Sequence, residues 1–202
     1  MLPAVVLAAG ESSRMGSPKA LLAAPDGRPF VVRVARTLME GGADEVVIVT
    51  GSAHAAIVST LESHDLAGRV RVVRNPEPGR GQLSSLLTGM KVVVDERTEG
   101  LMMTLVDVPI VETGTVRAVI AAWRARRAWI VRPAIGERHG HPVIFDRHVF
   151  DALRDAPEEQ GAKFVVRAHA AAIEDVPIDD VGCLTDVDTP EDFRILRSGS
   201  RT

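Results

Sequence analysis

Two hydrophobic patterns alternate along this chain, and they predict different elements. Short, mainly apolar runs at Ala4–Ala8, Glu45–Thr50, Arg69–Val73 and Leu101–Val106 have the length and Val, Ile and Leu content of strands in a parallel sheet, and Ala4–Ala8 reads as a buried one. Between them, apolar residues return every three or four positions. Val31, Val34, Ala35 and Leu38 share one face of a helix predicted over Pro29–Glu40, which Gly41 and Gly42 stop. Further helices are predicted over Ala53–His64, Gln82–Asp95 and Thr113–Arg126. This alternation predicts an α/β domain: a mostly parallel sheet with helices on both faces, in three αβα layers.

The pattern changes after Arg126. Ala128–Arg132 and Pro142–Phe145 both read as strands, but only the nine residues Pro133–His141 separate them. That link is too short for a helical crossover, so one strand of the pair runs antiparallel to the other. Arg147–Arg154 and Gln160–Ala168 are predicted helices, Ala172–Val176 a last strand, and Pro190–Leu196 a closing helix with proline in its first turn. The expected unit is one domain over residues 1–197, followed by a frayed tail at Ser198–Thr202.

Composition narrows the classes of function. A net charge of −3 gives no overall positive field for nucleic acid, and the Arg124, Arg126 and Arg127 cluster reads as a solvated helix face. Aromatic residues make up 3% with no tyrosine, which argues against a stacking platform for single strands. Cys183 is the only cysteine, so there is no internal disulfide and no multi-cysteine metal site. No apolar run approaches the roughly 20 residues that span a bilayer. A cytoplasmic protein is expected, with neither membrane nor nucleic acid as partner.

The strongest chemical signal runs from Leu7 through Ala8, Ala9, Gly10 and Arg14 to Lys19, directly after the first strand. Ligands of open α/β sheets bind beyond the carboxyl ends of strands. Small residues there let backbone N–H groups approach a phosphate chain, and Arg14 and Lys19 add permanent positive charge. Other phosphate loops do not fit. A Walker A loop starting at Gly10 needs glycine where Met15 stands, and a dinucleotide fingerprint needs glycine where Ser12 stands.

Two acidic segments complement the loop. Asp107 closes an apolar strand at Leu105-Val106-Asp107-Val108-Pro109, on the sheet edge where Mg²⁺ bridges carboxylates to triphosphate oxygens. Asp186 and Asp188 lie two apart in extended chain and so point the same way. Asp188 or Thr189 is equally a cap for the following helix, with Glu191 and Asp192 in its first turn. His139 and His141 flank Gly140 before a strand, either as an exposed hairpin or as contacts to a second substrate. Zinc is not expected there, because no cysteine or third well-spaced ligand accompanies them.

Together, the Leu7–Lys19 loop, the Leu105–Pro109 strand end, the Arg138-His139-Gly140-His141-Pro142 turn and the Asp186–Asp192 segment resemble the molybdenum-cofactor nucleotidyltransferase family. The closest branch is the molybdenum cofactor cytidylyltransferases. The resemblance implies a Rossmann-like fold and transfer of CMP from CTP to molybdopterin with release of pyrophosphate. It makes Arg14 and Lys19 the triphosphate-binding cations and Asp107 and Asp188 the Mg²⁺ ligands. Leu7, Ala8, Ala9 and Gly10 would face the nucleotide, with Gly81, Gln82, Ser84 and Ser85 near the nucleoside. His139, Gly140, His141 and Lys163 would meet the acceptor, and a molybdoenzyme or chaperone would be the protein partner.

Three alternatives stand beside this reading. One is a sugar- or polyol-phosphate acceptor in the same superfamily. Another is the guanylyl branch, whose loop has glycine where this chain has Ala9. The third is a binding module without turnover, which would not require two metal-ligating carboxylates.

Overall fold

The computed structural model describes residues 1–10 and 15–198. Arg14 and the predicted tail from Gly199 onward lie outside the described residues. Its strands are β1 Ala4–Ala8, β2 Val46–Thr50, β3 Arg71–Arg74, β4 Gly100–Leu105, β5 Ile130–Ile135, β6 Arg138–His139, β7 Val143–Asp146 and β8 Ile173–Pro177. Its helices are α1 Phe30–Gly41, α2 His54–Glu62, α3 Gln82–Val93, α4 Thr113–Arg126, α5 Phe150–Arg154, α6 Ala162–Ala168 and α7 Pro190–Ser198.

Every residue of β1 and β2 is buried, as their unbroken apolar runs require of central strands. Side chains of β1 leave the sheet alternately. Ala4, Val6 and Ala8 join α1, α2 and α4 in one core, through Val34, Leu38, Ile57, Val116 and Trp123. Val5 and Leu7 join α3, α5 and α6 in the other, through Leu83, Leu86, Leu153 and Val165. The period of two in a strand thus makes one five-residue segment the shared wall of two cores. The result is the expected three-layer αβα arrangement.

The strand order is β3-β2-β1-β4-β7-β5-β6, with β8 also pairing β5. Strands β1 to β4 are mutually parallel, and β7 is antiparallel to both β4 and β5. Pro133 to Ile135, expected within the link, extend β5 instead, and a short link over residues 136–142 makes that reversal, as the spacing predicts. It also carries the two-residue strand β6, antiparallel to β5, which the apolar pattern does not mark. Several boundaries differ from expectation, two of them in kind. The segment expected as one helix from Arg147 is a 3-10 turn, Arg147–Val149, running into α5. Ser198, assigned to the tail, closes α7, its hydroxyl bonded to the Ile195 carbonyl at 2.9 Å.

The carboxyl ends of β1, β2 and β4 meet on one edge, where the loop after β1 and the Val106–Pro109 segment emerge side by side. Among the described residues, no helix is long and apolar enough to cross a membrane.

Candidate active site

The site begins with backbone. β1 hands over to Ala9 and Gly10, and the chain leaving β2 runs close beside them. A Cβ on Gly51 would lie 2.6 Å from the Ala9 carbonyl oxygen, so only glycine allows this approach. Val106 N donates to Leu7 O at 3.1 Å, which extends the β1–β4 pairing and brings Asp107 level with the end of β1. Val187 N donates to Asp107 O at 2.9 Å and brings the Asp186–Asp192 segment alongside.

These segments converge on Lys19, which stands on a 3-10 turn anchored by buried Ala20. Lys19 Nζ donates to Asp107 Oδ2 at 3.0 Å and to Asp188 Oδ1 at 2.5 Å. Burial works to lower the Lys19 pKa, but the bonds to Asp188 and Asp107, and their charges, outweigh it and hold the ammonium above its ordinary value. Asp107 Oδ1 is buried with no hydrogen-bond partner among the described residues. A buried carboxylate oxygen without a donor is costly unless a ligand or cation satisfies it.

The two extended acidic residues take different positions. Asp188 lines the cavity with Lys19, whereas Asp186 does not. Burial, then the charges of Asp107 and Asp188, push the Asp186 carboxyl up, which marks a local surplus of negative charge. The capping role falls to Thr189. Its hydroxyl accepts from Asp192 N at 3.2 Å, while Asp192 Oδ2 accepts from Thr189 N at 2.7 Å and Asp188 N at 3.1 Å. Asp188 is thereby left to face Lys19.

No group of three or more His, Cys, Asp or Glu side chains suited to a metal ion occurs among the described residues. The paired carboxylates of Asp107 and Asp188, with the orphaned Oδ1, fit a hard cation whose remaining ligands are phosphate oxygens and water. That is how Mg²⁺ is commonly bound beside phosphates.

The cavity around these groups has a volume of about 270 Å³. Leu7, Ala8, Ala9, Gly10, Lys19, Gly81, Gln82, Ser85, Asp107 and Asp188 all line it. Ser84 does not: its hydroxyl accepts from Asn75 Nδ2 at 2.9 Å and donates to Glu77 O at 3.1 Å, which ties it to the loop before α3. Asn75, which the sequence reading passes over, organises this region. It is buried, donates to both Ser84 and Ser85, and accepts from Glu77 N at 2.9 Å. An asparagine followed by proline directly after a strand is the signal that marks it.

A second cavity of about 880 Å³ adjoins the first, and Gly81 and Gln82 line both. All four acceptor candidates, His139, Gly140, His141 and Lys163, line this larger space. Its apolar wall includes Leu86, Met103, Val143 and Phe145, and its charged lining is mixed: Arg80, Arg132 and Arg167 with Glu158 and Glu159, Arg80 being paired to Glu158. His139 Nε2 lies 3.2 Å from Asp175 Oδ2, and Arg132 Nε donates to Asp175 Oδ1 at 2.6 Å. Burial pushes the His141 pKa down, outweighing the Met103 backbone bond and Asp107, so the ring is neutral near pH 7. Its Nδ1 is buried without a hydrogen-bond partner among the described residues.

Close packing explains Gly140. A Cβ there would lie 2.3 Å from Cys183 O and 2.7 Å from Cys183 Sγ, so the glycine admits the Cys183 backbone. His141 N donates to that same carbonyl at 2.9 Å. The Cys183 thiol is pushed up to about 11 by burial, then by Asp180, and is inert as a nucleophile at neutral pH.

Phosphates laid on the backbone after β1 would have Lys19 and two carboxylates on one side and the larger cavity on the other. This is the architecture of a nucleotidyltransferase, which holds a nucleotide and its acceptor end to end. The chain belongs to the MobA-like NTP transferase family, whose domain its residues 4–173 match.

Curated relatives carry varied names. The nicotine blue oxidoreductase of Paenarthrobacter nicotinovorans is 30% identical over 95% of each chain. The molybdenum cofactor cytidylyltransferase of Escherichia coli is 23% identical over 94% of this chain and 92% of its own. Among solved structures, Rv0371c of Mycobacterium tuberculosis H37Rv is 28% identical, with a TM-score of 0.80 over 98% of this chain and 99% of its own. Its complex with manganese gives 0.77 over 98% and 97%.

Proposed function

We propose that this enzyme transfers CMP from CTP to a molybdopterin-type acceptor, with Mg²⁺ as cofactor and pyrophosphate as the second product. The observation that carries this reading is the junction of the two cavities. The smaller space holds Lys19 and both carboxylates, and at Gly81 and Gln82 it meets a larger space with an apolar wall and a charged rim in which Arg80, Arg132, Lys163 and Arg167 outnumber Glu158 and Glu159. A flat, anionic acceptor suits the larger space better than a small polyol phosphate does.

In the reaction, an acceptor phosphate oxygen attacks the α-phosphorus of CTP and forms a new phosphoanhydride bond. The bond between the α- and β-phosphates breaks, and pyrophosphate carries away the electron pair. A phosphate nucleophile is already anionic near pH 7, so no strong general base is needed. Backbone N–H groups of Ala8, Ala9 and Gly10 cradle the phosphates, Lys19 neutralises their charge, and Arg14 adds a second cation. Held by Asp107 and Asp188, Mg²⁺ would supply further charge neutralisation on the phosphate oxygens. Neutral His141, whose one N–H is taken by the Met103 backbone, accepts a hydrogen bond from the acceptor through Nδ1, and Lys163 offsets the acceptor's charge.

The cytidylyl choice rests on Ala9, whose methyl group reduces the space a purine would need, and agrees with the name of the E. coli relative. The name of the nicotine blue relative prompts a redox reading. Hydride chemistry belongs to a cofactor and asks the protein mainly for orientation. It would leave the carboxylate pair around Lys19 without a role.

A pyrophosphate-release assay with CTP, GTP and ATP, each with molybdopterin and Mg²⁺, tests the proposal. Release that requires both CTP and molybdopterin is expected. Tight nucleotide binding with no release from any of the three would point to a binding module instead.

A further inference from the structure

We infer that Lys19 is the resting cation of the Asp107–Asp188 pair and gives way to a divalent ion only when a triphosphate draws its ammonium aside, so that metal and nucleotide are taken up as one unit. The inference rests on the reading of Asp107 and Asp188 as metal ligands. It deepens that reading by assigning an order of assembly.

The oxygens are the starting point. Lys19 Nζ sits 3.0 Å from Asp107 Oδ2 and 2.5 Å from Asp188 Oδ1, so the ammonium already occupies the space between the two carboxylates. A metal bridging the same carboxylates needs the same region, and two cations cannot share it without strong repulsion. The one buried oxygen left over, Asp107 Oδ1, is a single ligand and holds a hydrated dication poorly.

The surroundings allow the exchange. The Lys19 and Asp107 side chains are only 14% and 21% exposed, which limits screening, whereas Asp188 is 49% exposed and open to a ligand from the cavity. The backbone at Lys19 is fixed by buried Ala20, but the lysine stem is flexible and can move its ammonium without moving the turn. A triphosphate lying on Ala8, Ala9 and Gly10 offers that ammonium a new set of anionic oxygens in the same cavity. Its charge also lets Lys19 and a divalent ion coexist. Metal alone lacks this compensation.

The test is Mn²⁺ binding to the full chain, read from the free-ion electron paramagnetic resonance signal. It is run without nucleotide and then with the α,β-methylene analogue of CTP. Wild-type protein is expected to bind Mn²⁺ weakly alone and about 10-fold or more tightly with the analogue, a coupling within the usual range for linked sites. Lys19→Gln is expected to bind Mn²⁺ alone at least about 10-fold more tightly than wild type, and to gain less from the analogue. Asp107→Asn is expected to bind it weakly in both conditions.

If Lys19→Gln binds Mn²⁺ alone no better than wild type, while Asp107→Asn still loses the analogue-dependent binding, the exchange is overturned and the metal site stands. If Asp107→Asn binds Mn²⁺ with the analogue as tightly as wild type, the metal site itself is wrong and the exchange falls with it. Should Lys19→Gln not fold, the wild-type comparison decides alone: equal Mn²⁺ affinity with and without the analogue overturns the inference.

Discussion

Lys19 and Asp107 are 88 positions apart in the chain, and Lys19 Nζ lies 3.0 Å from Asp107 Oδ2. Adjacent parallel strands create this contact. β1 pairs with β4, so the loop that follows the first and the acidic segment that follows the second leave the sheet together. The pairing leaves Asp107 Oδ1 buried and unbonded among the described residues, so the contact satisfies only half of the carboxylate.

Asp107→Asn should therefore fold normally and turn over slowly. The change keeps the shape of the side chain and removes a charge needed at the phosphates. A fall in kcat on the order of 10²-fold is expected. Circular dichroism and steady-state kinetics at limiting Mg²⁺ check it, and near wild-type turnover in a folded variant would remove Asp107 from the site.

Ala9 is buried in the wall of the nucleotide cavity. Ala9→Gly should relax the preference for CTP over GTP, since one methyl group in a tight pocket is worth about 1–3 kcal/mol, or at least several-fold in relative kcat/KM. Competition between the two nucleotides measures this. An unchanged ratio would place base selection elsewhere.

The neighbours His141 and Gly140 should fail in different ways. His141→Ala should raise KM for the acceptor much more than KM for CTP, because the ring lines only the larger cavity. Equal increases in both would make the ring structural.

Gly140→Ala should instead destabilise the protein. Its new methyl would meet backbone at Cys183 O, 2.3 Å away, and backbone yields less readily than a side-chain tip. A cost of about 1–3 kcal/mol is expected, enough to lower Tm by several degrees in thermal unfolding. An unchanged Tm would show that the turn absorbs the methyl.

Much of this was legible in the sequence because local chemistry decided it. Continuous apolar runs marked β1, β2 and β4, helical spacing marked α1 and α4, and strand-end position alone brought Lys19 and Asp107 to one edge. Long-range packing was not legible. Nothing near Gly140 announces that Cys183 will press against it, and nothing local says that Asn75 will hold Ser84 away from the cavity. The two-residue β6 is too short to carry a period. Asp186 and Asp188 look equivalent in extended chain, and the Thr189–Asp192 cap helps separate their roles. The predicted start of α6 missed because Gly161, at φ 62, sits in the left-handed region and cannot begin a helix before Ala162.

The most direct test of nucleotidyl transfer follows the α-phosphorus itself. CTP labelled at that position is incubated with the enzyme, Mg²⁺ and molybdopterin, and the products are separated. The account predicts that the label moves onto the acceptor as a cytidine dinucleotide, in step with release of unlabelled pyrophosphate. Label recovered only as CMP, or left in CTP while the acceptor is unchanged, would contradict it.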